Sequence, residues 1–147
     1  MAVEQLTIRL VRSEDILDIY SMVCDLENCK FDRAVFKSIY QKNIASDNNV
    51  YLIAIVDSIA IGFLSCHGQH LLHHEGMVYE IHEMYVDPSY RNNGIGELLM
   101  NGLKQQLKNK NIKSLEVTSN VNRELAHRFY LKQGFKQSHY KFTQSAP

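Results

Sequence analysis

From Leu6 to Val11 apolar residues alternate with Thr7 and Arg9, the period-two pattern of a strand with one buried face. Ser13 then stands at a helix N-cap position with Glu14 and Asp15 in the favourable first turn. Ile16, Ile19, Tyr20, Val23 and Leu26 step by three and four, which predicts a helix running to about Asn28. Asp32 is the expected cap of a second helix carrying Phe36, Ile39 and Tyr40. Val50 to Val56 is a nearly unbroken β-rich run, and Asp57-Ser58 separates it from Ile59 to Cys66, so the two read as an antiparallel hairpin with a bulge at Gly62. The polar, histidine-rich segment from His67 to Gly76 reads as a connection. Strand character resumes from Val78 to Val86 and stops at Asp87-Pro88. Ile95, Leu98, Leu99, Leu103 and Leu107 then form one helical stripe. Ser114 to Thr118 predicts a strand, Arg123 to Gln133 a helix closed by Gly134, and Phe135 to Phe142 a last strand. This order predicts an α/β fold with a mixed sheet, helices on both faces, and a βαβ unit around Arg91.

Composition narrows the classes. A chain of 147 residues with 45% apolar and 22% charged positions suits one globular domain over residues 1–147. The 16 basic and 16 acidic side chains cancel, which removes the positive excess that nucleic-acid binding needs. No apolar run approaches the roughly 20 residues that span a bilayer, and the start Met1-Ala2-Val3-Glu4-Gln5 lacks the features of a secretory leader, so a cytoplasmic protein with no membrane partner is expected. Cys24, Cys29 and Cys66 are odd in number and lack paired C-x-x-C spacing. All three are expected reduced, with Cys24 and Cys66 in core positions.

The chemistry starts at Arg91-Asn92-Asn93-Gly94-Ile95-Gly96. Two glycines in the first turn of a helix that follows a buried strand leave backbone N–H groups open to an anion, and Arg91 adds a fixed positive charge. No third glycine follows, as a dinucleotide fingerprint requires, and no Gly-Lys-Ser/Thr closes a Walker loop.

What Arg91 to Gly96 does resemble is the acetyl-CoA signature of the GNAT superfamily of N-acetyltransferases. Met84-Tyr85-Val86-Asp87-Pro88 is similar to that superfamily's strand end, and Asn120, Asn122, Ala126-His127-Arg128-Phe129-Tyr130 and Gly134-Phe135 to its second cofactor motif. The resemblance implies the acyl-CoA N-acyltransferase fold: a mostly antiparallel central sheet with a splayed parallel pair and flanking helices. It implies acetyl-CoA held by the Met84, Tyr85 and Val86 strand end and by Arg91, Asn92, Asn93, Gly94, Ile95 and Gly96, with Asn122 and Lys132 as further contacts. It also implies a homodimer.

Acetyl transfer to an amine needs a neutral amine, a stabilised oxyanion and a proton for the leaving thiolate. Glu80 and Glu83 precede the loop, and their odd separation puts them on opposite faces of a regular strand, so one of them faces the cleft. The resemblance favours Glu80 as base, although a bulge near Met84 would change the phase. Tyr130, with a phenol pKa of about 10 against about 8.5 for a thiol, can protonate the sulfur, and it matches the superfamily's general acid.

His67, His70, His73, His74 and His82 invite a metal or anion hypothesis, against solvated loop histidines. The run His67 to His74, with Ala126 to Leu131 and Ser138 to Thr143, resembles superfamily members that acetylate aminoalkylphosphonates and are associated with a divalent metal. That resemblance implies a small amine substrate near His67, His74, His82 and Arg128. A polyamine, an amino sugar or a protein lysine as acceptor, and a non-catalytic acyl-CoA sensor, stay open.

Overall fold

The computed structural model describes residues 5–147. Five strands form one sheet in chain order: β1 (Leu6–Leu10), β2 (Asn49–Val56), β3 (Ile59–Leu71), β4 (Gly76–Val86) and β5 (Ser114–Val117). The first four pair antiparallel, and β5 joins β4 in parallel. The helices are α1 (Ile16–Glu27), α2 (Arg33–Ile44), α3 (Ile95–Leu107) and α4 (Glu124–Lys132).

The near-continuous apolar runs are buried on both sides of the sheet. Leu52, Ala54, Leu64, Cys66 and Ile81 face Leu99, Met100 and Leu103 of α3, while their neighbours Ile53, Phe63 and Tyr85 face Ile19 and Met22 of α1 and Tyr40 of α2. Cys66 is fully buried, which pushes its thiol up to about 12, and all three cysteines are free.

Several expectations need correction. Ser13 is not the N-cap of α1; it opens a 3₁₀ turn, Ser13–Asp15, and the helix starts at Ile16. Asp15 turns inward, where its carboxylate receives both arms of Arg9 (2.8 and 2.9 Å) and the Arg12 amide (2.7 Å). Asp32 does cap α2, accepting from the Val35 amide at 2.9 Å. On α3, Leu98 sits at the edge of the stripe and is exposed, and Met100 takes a core place instead. His67 to Gly76 is not a connection: the β3–β4 ladder continues to Leu71 opposite Gly76, and only the Leu72–His74 turn interrupts it. No strand forms in 135–142, because the sheet ends at β5 and nothing pairs with the segment; Tyr140 and Phe142 are 88% and 91% exposed.

The ladder slips register twice. Ala54 faces Gly62 and Ile55 faces Ala60, so Ile61 is an extra residue beside the expected bulge at Gly62. Ser65 faces Glu83 and Cys66 faces Ile81, so His82 is a second extra residue, on β4.

Asp15 anchors the end of β1 to the entrance of α1, so Asp15→Ala is expected to cost about 2–3 kcal/mol, the scale of lost hydrogen bonds to a charged group, in urea melts at pH 7. The Arg9 guanidinium holds the Asp15 carboxyl below its usual 3.8. Because the folded value is the lower one, the contribution is complete above 3.8 and is lost as pH falls through the folded pKa, so the Ala variant and wild type converge in acid.

Candidate active site

The β4–β5 ladder ends at Ile81 opposite Val117, while β4 continues to Val86. The last residues of β4 therefore face an opening in the sheet. The Asp87 amide donates to the Ile61 carbonyl of β3 (2.7 Å), so by strand alternation the backbone groups of Tyr85 also point to β3. Those of Met84 and Val86 point away, into the opening. The Tyr85 side chain is buried and donates its hydroxyl to Asp25 at 3.2 Å.

The chain leaves β4 through a 3₁₀ turn, Pro88–Tyr90, capped by Asp87, and reaches Gly94 at φ 78°, a left-handed conformation that favours glycine. The first helical bond of α3 runs from the Leu98 amide to the Gly94 carbonyl, so the amides just before it have no partner inside the helix. A Cβ on Gly94 would meet nothing within 4 Å, so the approach to these amides is open. A Cβ on Gly96 would lie 3.3 Å from the Phe129 ring and 3.5 Å from Met84 Cε, so the glycine lets α3 sit close to α4 and the strand end. Arg91 donates from Nε to the Val86 carbonyl (2.9 Å), and Asn93 holds the Tyr90 and Arg91 carbonyls. Asn92 adopts φ 65° in the same exposed turn.

On the α3 side, the Tyr130 hydroxyl lies 3.9 Å from Met84 Sδ, and burial raises its pKa. The opposite side of β4 is polar. The extra residue His82 returns Glu83 to the face that carries Glu80 and His67, so both glutamates lie on one face. Ser65, fully buried, donates to Glu83 Oε1 and accepts from the Glu83 amide at 3.0 Å. Glu80 accepts from Thr118 at 3.1 Å and stands beside Glu116, whose Oε2 is buried without a partner.

His67 belongs to a chain of hydrogen bonds. Asn43 Nδ2 donates to the Tyr51 hydroxyl (2.9 Å), leaving the hydroxyl proton for His67 Nε2 (2.7 Å), which puts the ring proton on Nδ1. Burial pushes Tyr51 up to about 12 and, with His82 nearby, pulls His67 below its usual 6.5, so this imidazole is neutral at pH 7. The His67 and His82 rings are 4.9 Å apart.

Other expected residues lie elsewhere. His74 packs edge-on against His73 at the tip of the β3–β4 hairpin, at the far end of β4 from the opening. Arg128 and Lys132 are exposed on α4, and the exposed Asn122 donates its amide to Asn120 Oδ1. Among the described residues no three His, Cys, Asp or Glu side chains come together to hold a metal ion. Sequence reasoning missed Ser65, Tyr51, Asn43, Thr118, Glu116 and Arg123. The signal for Ser65 was available, a hydroxyl inside the run Phe63-Leu64-Ser65-Cys66. Arg123, which binds the Leu26 carbonyl (3.2 Å) and Glu27 (3.3 Å), ties the approach to α4 to the end of α1.

Residues 16–135 match the family model described as "Acetyltransferase (GNAT) family". The chain is 32% identical over 138 residues to the aminoalkylphosphonate N-acetyltransferase of Salmonella typhimurium, covering 94% of this chain and 90% of that protein. Similar folds are found in a transcriptional regulator from Bacillus halodurans (TM-score 0.88, 21% identity, 97% and 100% of the two chains). Another is the aminoglycoside N-acetyltransferase AAC(6')-Iy in complex with CoA (TM-score 0.88, 16% identity, 99% and 97%). No described helix is long and apolar enough to cross a membrane. With the family model spanning most of the chain, this protein belongs to the acetyltransferase (GNAT) family and is an N-acetyltransferase of that family.

Proposed function

We propose that the chain transfers acetyl from acetyl-CoA to a small primary amine, and that the amine is an aminoalkylphosphonate. One observation carries the transfer reading: β4 outruns β5 and ends at an open helix start. The pyrophosphate would meet the free amides of α3 and the terminal nitrogens of Arg91, whose Nε is already fixed on Val86. The pantetheine would follow the outward backbone groups of Met84 and Val86 into the opening, which brings the thioester between Tyr130 on one side and the carboxylates on the other.

The amine arrives as an ammonium with a pKa of about 10 and gives one proton to a carboxylate of the Glu80–Glu83 face. The neutral nitrogen then attacks the thioester carbon, forming the C–N bond, and the tetrahedral intermediate collapses with loss of the C–S bond. Tyr130 protonates the departing sulfur, and the second amine proton restores the phenol. The products are the amide, CoA thiol and one proton released to water.

For the acceptor, the named activity of the Salmonella relative supports an aminoalkylphosphonate, with His67 Nδ1–H and the exposed His82 available to its anionic end. A second reading is favoured by the carboxylates: Glu80, Glu83 and Glu116 would suit a diamine, and Arg123 is already paired with Glu27. The open edge of β5 and the exposed Tyr140 and Phe142 fit a homodimer.

Thiol release from acetyl-CoA against aminoalkylphosphonates, polyamines and amino sugars, with and without a divalent metal, tests the acceptor; turnover of polyamines alone would overturn the phosphonate reading. Tyr130→Phe should lower kcat by about 100-fold at unchanged acetyl-CoA affinity. Arg91→Ala should weaken acetyl-CoA binding about tenfold by calorimetry, the scale of one charge-assisted hydrogen bond. Sedimentation equilibrium should give twice the mass of one chain, and a single-chain mass would remove the dimer.

A further inference from the structure

We propose that Glu83, not Glu80, takes the ammonium proton, and that Ser65 is the residue that positions it. The inference rests on the transferase reading and assigns roles within the same site. The two carboxylates share a face but differ in placement. Glu80 lies inside the β4–β5 ladder, opposite Glu116, with one oxygen held by Thr118. Glu83 lies beyond Ile81, the last paired residue of β4, where the sheet is open. It is also next to Met84, whose sulfur touches the Tyr130 hydroxyl. Base and acid therefore flank one strand residue from opposite faces. Glu80 stands two ladder positions back, opposite His67 where Glu83 is opposite Ser65, roughly 7 Å along a strand rising about 3.3 Å per residue.

Ser65 is suited to hold this base. Its hydroxyl accepts from the Glu83 amide and donates to the same residue's Oε1, so a single buried group fixes both the backbone turn of the bulge and the plane of the carboxylate. Oε2 makes no hydrogen bond among the described residues and is the oxygen left for the ammonium. Were His82 a regular, paired strand residue, Glu83 would point to the α3 face and could not meet an acceptor on the Glu80 side. The bulge, Ser65 and Glu83 form one device. Glu80 is left as a carboxylate that binds the acceptor.

Steady-state kinetics across pH 6–10, with acetyl-CoA affinity measured alongside, test this. Glu83→Gln should lower kcat at pH 7 by about 100-fold or more, with the loss recovering about tenfold per pH unit as the amine deprotonates unaided. Glu80→Gln should instead raise KM for the acceptor more than it lowers kcat, and keep the wild-type pH profile. Ser65→Ala should lower kcat about tenfold at nearly constant KM, because Glu83 loses the group that fixes its carboxylate, while Ser65→Thr, which keeps the hydroxyl, should restore most of it. If Ser65→Ala fails to fold, Glu83→Gln carries the test alone, since it keeps the shape of the side chain. A Glu83→Gln enzyme with wild-type kcat, or a collapse of kcat with pH rescue in Glu80→Gln only, overturns the inference while leaving the transferase intact. Absence of thiol release from wild type on every amine overturns both.

Discussion

The length difference between β4 and β5 organises this molecule. Parallel pairing holds the two strands together over Val78–Ile81 and Ser114–Val117, and then β5 stops while β4 continues to Val86. A central strand that loses its neighbour leaves backbone donors and acceptors without partners, which is costly unless a ligand or side chain meets them. Arg91 satisfies the Val86 carbonyl, and the rest of the opening is free. The phosphate-binding turn, Tyr130 and the carboxylate face all border this gap, so the pairing that ends early also decides where chemistry can occur.

The two sides of the sheet then divide the work. Toward α3 and α4 the strand end is apolar, with Met84 and Val86 packed near Phe129 and Tyr130. Burial there keeps the Tyr130 phenol protonated, as an acid must be. Toward α1 and α2 the core is interrupted by Ser65, His67, Glu80 and Glu83, whose polar groups find partners in one another or in Thr118 and Tyr51. Such groups are tolerated in a buried setting only when they are paired, and the pairing fixes their orientation before any substrate enters.

This arrangement needs rigidity from the first helix pair. Tyr85, on the cleft face, donates to Asp25 of α1, and Arg123 reaches the α1 terminus from the approach to α4. The Arg9–Asp15 pair in turn holds the start of α1 to the edge strand. The acceptor side is thus tied to the sheet at both ends of α1, although none of these residues belongs to the reacting set.

Periodicity alone determined most of the elements: the hairpin turn at Asp57-Ser58, the Asp32 cap, the α3 stripe and the glycine-bearing loop at Arg91 to Gly96 are local, and local sterics and hydrogen bonding dictate them. The family resemblance was legible for the same reason, since its motifs are contiguous. What required the tertiary structure was phase and partnership. An odd spacing puts Glu80 and Glu83 on opposite faces of a regular strand, and only the ladder with β3 reveals that His82 is an extra residue that reunites them. Likewise the alternation in Phe135 to Phe142 has strand character, but a strand exists only where an edge is available to pair with, and none is paired there. The proximity of His67 to Tyr51, or of Tyr130 to Met84, depends on long-range contacts that leave no spacing signal in the chain.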